Sequence, residues 1–414
     1  MSAAAPIATP ESSDAPVPPG AHTGWALLAL AIGGFAIGTT EFAAMSLVPF
    51  FAPDLGIDAP AAGHVISAYA LGVVVGAPLL AVLGAKVPRR TLLILLMLGF
   101  AIGNGLSALA PGYHAMLLFR FLSGLPHGAY FGVAALVAAS MVAPARRAQA
   151  VSLVMLGLTV ATIVGVPLAN ALGQWAGWRW GFGVVTVMAL LTAALVALHA
   201  PRDPVRAGAS AMRELGALAR GQVWLTLGIA TIGFGGMFAV YTYLGSTLLE
   251  VTGTGPGMLP VVLSVFGMGM TAGTLGAAWA ADRALMPTVG GLLLWSALSL
   301  GLYPFAAGNL WTLLLVVFMI GCSGGLGAVL QTRLMDVAGD AQTLAAALNH
   351  SAFNAANALG PWLGGLTIAA GYGWTSTGWV GVVLAFGGLA IWAVSLAVDR
   401  SRARAAVRSP DARV

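Results

Sequence analysis

Apolar residues fill this chain in long continuous blocks, not at every second position and not as one stripe of a surface helix. About twenty mostly apolar residues cross a bilayer core as a helix. Breaks at proline, glycine and charge clusters leave about twelve blocks of that length: 24–50, 61–84, 90–110, 115–140, 148–173, 180–199, 223–250, 257–281, 287–306, 310–336, 342–370 and 376–398. They are too long and unbroken for the alternating strands of a membrane β-barrel. The longest charged interval, "PRDPVRAGASAMRELGALARGQ" at 201–222, leaves six blocks on either side. The pattern therefore predicts an all-α integral membrane protein. Its parts are a disordered leader (1–21), a six-helix bundle (22–200), a linker (201–222), a second six-helix bundle (223–399) and a basic tail (400–414). The leader has neither the basic start nor the apolar core of a secretory signal.

Composition agrees with lipid as the surrounding solvent. Only 7% of residues are charged and 59% are hydrophobic, against about 25% charged in soluble domains. The 56 glycines suit close approach of membrane helices, and the lone Cys322 excludes an intramolecular disulfide. The net charge of +5 is no nucleic-acid footprint, because the basic residues are scattered through short breaks. Lys86, Arg89, Arg90, Arg146, Arg147, Arg202, Arg206, Arg213, Arg220, Arg283, Arg333 and five arginines beyond the last block fall on one side. They make up sixteen of the 18 basic residues. The positive-inside rule makes that side cytoplasmic and predicts that both termini share it.

The halves repeat. "LGVVVGAPLLAVLGAK" (Leu71–Lys86) parallels "MGMTAGTLGAAWAADR" (Met268–Arg283), with Gly72, Gly76 and Lys86 matching Gly269, Gly273 and Arg283 at an offset of 197 residues. Gly165 and Pro167 before Gly177-Trp178 parallel Gly360-Pro361 before Gly373-Trp374. A parallel repeat of two bundles is a transporter architecture, with the site near the midplane between them.

Several stretches carry a resemblance to a known family: "GTTEFAAMSLVPFFAPDLGI" (Gly38–Ile57), "RFLSGLPHGAYFGVAALVAA" (Arg120–Ala139), "GLTVATIVGVPLANALGQWAGWRWGF" (Gly157–Phe182) and "YTYLGSTLLEVTG" (Tyr241–Gly253). The chain resembles the major facilitator superfamily, within it the twelve-helix drug:proton antiporter group in its sugar-efflux and chloramphenicol-resistance branch. The resemblance implies a major facilitator fold in a bacterial inner membrane and alternating access. It further implies proton-coupled efflux as in sugar transport or multidrug resistance, an arginine at position 120 lining the pathway, and a latch after the second span. In this chain that latch reads "AVLGAKVPRR": Ala85 stands where the family has aspartate, while Lys86, Arg89 and Arg90 keep the charge and the second copy keeps Asp282 and Arg283.

The polar intruders are the candidate chemistry. Glu41 lies sixteen residues past Trp25, about 24 Å along a helix at ~1.5 Å per residue. An ionised acid deep in a membrane costs roughly 2.5–3.5 kcal/mol, and protonation removes most of that cost. Glu41 can therefore trade a proton with water as a coupling group, or serve as a structural acid bonded to Thr39, Thr40 or a neighbouring helix. Arg120 cannot usefully deprotonate and must find acceptors. His127 shares its helix face and is a second titratable candidate, or a neutral core histidine. Candidate substrate contacts are Thr40, Phe42, Met45, Tyr69, Phe131, Met237, Tyr241, Asn349, Asn354 and Asn357. Met45 and the aromatics also suit plain packing, and Tyr241 and Tyr243 an interfacial anchor. Gly165, Pro167 and Pro361 are hinge candidates. The six histidines are dispersed, no two acids lie close together within a membrane span, and no GxxxxGK[ST] loop occurs in the sequence. A membrane enzyme or an ATP-driven pump therefore has no motif behind it, and neither cofactor nor metal is expected. The expected partners are a small molecule, protons and lipid, with the chain acting as a monomer. Proton-coupled uptake is the alternative direction, and a lipid-modifying enzyme the alternative class.

Overall fold

The computed structural model describes residues 21–143, 146–202, 219–338 and 342–408. The expected leader up to residue 20, most of the linker (203–218) and the last residues of the tail lie outside them. Every regular element among the described residues is helical. In chain order they are α1 (Ala21–Ser46), α2 (Val48–Asp54), α3 (Ala59–Leu83), α4 (Arg89–Ala108), α5 (Tyr113–Ser140), α6 (Arg147–Val160), α7 (Val166–Ala176) and α8 (Arg179–His199). The second half has α9 (Gly221–Gly233), α10 (Gly235–Glu250), α11 (Leu259–Ala281), α12 (Leu285–Ala306), α13 (Leu310–Cys322), α14 (Leu326–Ala338), α15 (Gln342–Ala369) and α16 (Ser376–Arg408).

Among the described residues, eleven helical stretches are long and apolar enough to cross a membrane. The twelfth expected span is α15, a 28-residue helix. It falls short on apolarity because Asn349, His350, Asn354 and Asn357 sit in it. Large apolar side chains face outward, Ile102, Leu168, Leu275 and Val383 each more than 60% exposed. In water such a surface would aggregate; in lipid it is the solvated face. Exposed tryptophans lie near helix ends (Trp25, Trp175, Trp180, Trp279, Trp311), the positions of an interfacial aromatic belt.

Local breaks follow the sequence. The first block bends at Leu47, where Pro49 enters the next helix without a backbone N–H. The fifth contains a π-helical turn at Ala161–Gly165, just before Pro167. The seventh breaks at Phe234 between glycines. Pro361, the second-half counterpart of Pro167, sits inside an unbroken helix. The last helix runs on through Arg408, so the basic stretch expected as a tail begins as a continuation of the final span.

The internal repeat extends to its packing partners. A Cβ on Gly72 or Gly76 would meet the carbonyls of Phe121 and Leu125 at 2.1 Å. One on Gly269 or Gly273 would meet those of Phe318 and Cys322 at 2.3 and 2.0 Å. Gly124 lies against the Tyr69 carbonyl and Gly321 against that of Phe266. Each partner keeps the 197-residue offset: 318 less 121, 322 less 125, 266 less 69. The α3–α5 crossing is thus rebuilt as the α11–α13 crossing, and only glycine permits either. Between the halves, α3 packs along α15, the π turn and α7 pack on α11, and α1 meets α10.

Candidate functional site

At the seam between the halves lies a cluster of buried polar side chains. Glu41, on α1, is 7% exposed. Its Oε1 accepts a hydrogen bond from Asn357 Nδ2 of α15 at 3.3 Å. Neither neighbouring threonine binds it. Thr40 instead donates to Asn104 Oδ1 of α4 at 2.7 Å and accepts from Arg120 Nη1 of α5 at 3.2 Å. Asn104 is oriented by its own Nδ2, which donates to the Phe100 carbonyl at 2.9 Å. The direction of the chain is therefore set: Asn104 offers its oxygen, Thr40 gives up its proton to it, and the hydroxyl lone pairs face the guanidinium.

Arg120 is 1% exposed. Its guanidinium lies over the Tyr69 ring at 4.2 Å and the Phe182 ring at 5.3 Å, an arrangement worth about 2 kcal/mol or more where water is excluded. Glu41 and Arg120 feel each other's charge without forming an ion pair. The ion pairs among the described residues are Arg179–Asp54 and Arg333–Asp399. Tyr69 is the hub: its ring carries Arg120, its Oη meets His127 Nδ1 at 3.0 Å, and its carbonyl backs Gly124. His127 then neighbours His350 across the seam at 6.1 Å between ring centroids, and Phe131 stacks on His350 at 5.2 Å, nearly parallel.

Beside the acid, Phe42 meets Tyr241 edge-on at 5.4 Å and Phe238 at 6.2 Å, and Tyr241 lies 4.4 Å from Phe266. Val240, Tyr241, Leu244, Phe266, Val317 and Ile320 enclose no space large enough for a water molecule, far below the ~300 Å³ of a small ligand pocket. These rings are packed as core in this state. Tyr241 and Tyr243 are both buried, and Tyr243 Oη donates to the Pro361 carbonyl at 2.9 Å. The interfacial-anchor alternative for them fails, because Tyr243 is covered by α15 and Tyr241 by Phe42 and Phe266.

The structure thus brings together Thr40, Glu41, Phe42, Tyr69, Arg120, His127, Phe131, Tyr241 and Asn357. Asn354 lies one turn from Asn357, its Nδ2 donating to the His350 carbonyl at 3.1 Å. Asn349 is set apart and donates to Gln331 Oε1 at 3.3 Å within its own half. Met45 and Met237 are wholly buried in the apolar core. Gly165 backs Thr39, whose Oγ1 lies 2.3 Å from where a Cβ would stand. At the helix ends, Arg90 donates to the Ala197 carbonyl at the C-terminus of α8. Arg283 donates to the Trp279 carbonyl at 2.6 Å while lying over that residue's ring at 3.8 Å. Asp282 makes no ion pair among the described residues. Lys86 is exposed and Arg89 half-buried. The reading of the sequence missed Asn104, Phe182, Phe238, Phe266 and Gln331. Asn104 carried a signal, since an amide in an apolar span needs a partner.

Two lipid-facing helical bundles joined over a buried acid, a guanidinium and amides define a membrane transporter. Residues 30–298 match the model of the Major Facilitator Superfamily, and the chain belongs to that family. It is 39% identical over 375 residues to the inner membrane transport protein YdhP of Escherichia coli (strain K12), covering 90% of this chain and 96% of that protein. It is 34% identical over 352 residues to a chloramphenicol resistance protein of Streptomyces lividans, covering 83% and 88%. The crystal structure of the nucleoside transporter NupG matches with a TM-score of 0.69 at 15% identity, over 90% and 99% of the two chains, a likeness of fold. As a member of that family, this chain is a membrane transporter of small substrates and not an enzyme.

Proposed function

We propose that the chain exports a small organic molecule, an amphenicol-like drug or a sugar, in exchange for protons by alternating access across a bacterial inner membrane, with both termini cytoplasmic. The observation that supports this best is the Glu41–Asn357 hydrogen bond, which ties the one carboxylate of the first span to the opposite half. An ionised Glu41 binds the Asn357 N–H through a charge-assisted bond, roughly twice as strong as a neutral one. A proton on Glu41 weakens that bond and lets the halves separate. Arg120 stabilises the ionised form through space, and His127 links it through Tyr69 to the far side of the seam. Thr40, Phe42, Phe131, Tyr241, Asn354 and Asn357 face the solute once the halves part. The π turn before Pro167 flexes the wall beside it, and the basic residues of the "AVLGAKVPRR" loop hold the cytoplasmic helix ends.

A membrane potential of 100 mV gives about 2.3 kcal/mol per inward charge. That is enough for more than tenfold outward accumulation of a neutral solute, at about 1.4 kcal/mol per tenfold. The test is purified protein in liposomes with an imposed pH gradient, chloramphenicol and a panel of sugars being followed. Accumulation against the proton flow supports exchange. Accumulation with it would make the chain an uptake symporter, and indifference to the gradient would remove proton coupling.

A further inference from the structure

Two amide oxygens at the seam are left without donors. Asn357 gives its N–H to a carboxylate oxygen and Asn354 gives its own to a backbone carbonyl. A carbonyl oxygen only accepts, and so does an ionised carboxylate. Asn354 cannot turn over without facing oxygen to oxygen, nor can Asn357 while Glu41 is ionised. Both Oδ1 atoms then stand as acceptors, buried with no partner among the described residues. The residues are 3% and 0% exposed and lie three apart on α15, so they occupy one helix face. One donor in the cluster is also unpartnered, Arg120 Nε. Phe353, next to Asn354 in the chain, meets Phe234 at 4.6 Å, and Phe42, next to Glu41, meets Tyr241 at 5.4 Å.

Resting on the transporter reading, we propose that this seam selects a neutral solute that presents two hydroxyl or N–H donors along one edge, to Asn354 Oδ1 and Asn357 Oδ1, beside a flat apolar face. A purely hydrophobic molecule leaves both oxygens desolvated and is rejected, as sites built to hydrogen-bond a hydroxyl reject analogues that lack it.

Equilibrium binding to the full chain in lipid nanodiscs, with no gradient, tests this apart from proton coupling. The probes are chloramphenicol against its di-O-methyl ether, and 4-nitrophenyl β-galactoside against its tetra-O-methyl ether. At least one parent is expected to bind tenfold or more tighter than its ether. Asn354→Leu and Asn357→Leu should each shrink that preference. Equal affinity of parents and ethers overturns the proposal, as does binding by neither parent. So does a preference that survives both leucine variants, which would leave the two oxygens as water-bonded scaffold. The parent–ether comparison uses the wild-type chain and stands even where a variant fails to fold. A donor preference found without gradient-driven transport would sink the coupling and leave this selection intact.

Discussion

Asn357 and Glu41, 316 residues apart in the chain, meet through one hydrogen bond of 3.3 Å that crosses from one half to the other. Hydrogen bonds to a charged group contribute about 1.5–3 kcal/mol. Glu41→Gln keeps the shape and loses the charge. It is expected to lower gradient-driven transport at least tenfold in inverted vesicles, with solute binding largely retained. Asn357→Leu removes the tie itself, and distances between spin labels on α1 and α15 should lengthen on average. Wild-type transport by Glu41→Gln would end the coupling role.

Arg120 is held by a relay that begins on another helix. Asn104 takes the Thr40 proton, and Thr40 then accepts from Arg120. Asn104→Leu leaves the Thr40 hydroxyl without its acceptor, a cost of about 1–3 kcal/mol for a buried group, read as a lower thermal midpoint in detergent. Arg120→Lys replaces a flat guanidinium on the Tyr69 ring by a point charge. Its effect should fall on transport more than on stability, and Asn104→Asp should move the pH profile of transport. An unmoved profile in both would return Arg120 to scaffolding.

Much of the fold was legible because it follows from solvent. Blocks of some twenty apolar residues are helices in lipid for want of any other way to satisfy the backbone, and their observed limits differ from the expected ones by a few residues. The 197-residue offset was legible because glycine alone allows α3 to touch α5 and α11 to touch α13. Glu41 and Arg120 stood out as charges in apolar surroundings. Their partners did not: nothing local in "GTTEF" points to an asparagine 316 residues on, or tells Thr40 from Thr39. The π turn was hidden as well, because its five residues read as ordinary helix and its shape depends on the opposite bundle.

Asp54 and Arg179 close the end of the first half near α2. Arg179 Nη1 donates to Asp54 Oδ2 at 2.5 Å, and Trp178 Nε1 donates to the same oxygen at 2.9 Å. The Arg179 bond first, then the Trp178 bond, hold the Asp54 carboxyl below its ordinary value. A carboxyl depressed by folding stabilises the fold above its unfolded value and loses that contribution as pH falls through its folded value. Wild type should therefore exceed Asp54→Asn in thermal midpoint at neutral pH, and the gap should close below about pH 4. Both side chains are roughly half exposed, so the gap should be small and shrink in ~1 M salt. A gap that is constant with pH would assign the effect to packing.

Ser264 and Gly267 of α11 clasp the π turn from the other half. Ser264 Oγ donates to the Ile163 carbonyl at 3.2 Å, and a Cβ on Gly267 would stand 2.5 Å from the Thr162 carbonyl. A π turn shifts the backbone register and leaves carbonyls less well served within the helix, so a hydroxyl from across the seam is a natural acceptor's partner. The contact is also short because glycine has no side chain. Gly267→Val would force backbone apart from backbone, where overpacking costs roughly 1–3 kcal/mol. If the two halves separate as rigid bodies, that cost falls on this closed arrangement alone. The variant should then keep its fold, show longer label distances between the π turn and α11, and exchange solute with a changed rate. Ser264→Ala should act in the same direction and more weakly, by the ~0.5–1.5 kcal/mol of a neutral hydrogen bond. A lower thermal midpoint with unchanged label distances would show the clasp to be static packing, and alternating access would then have to turn on the α3–α15 contact instead.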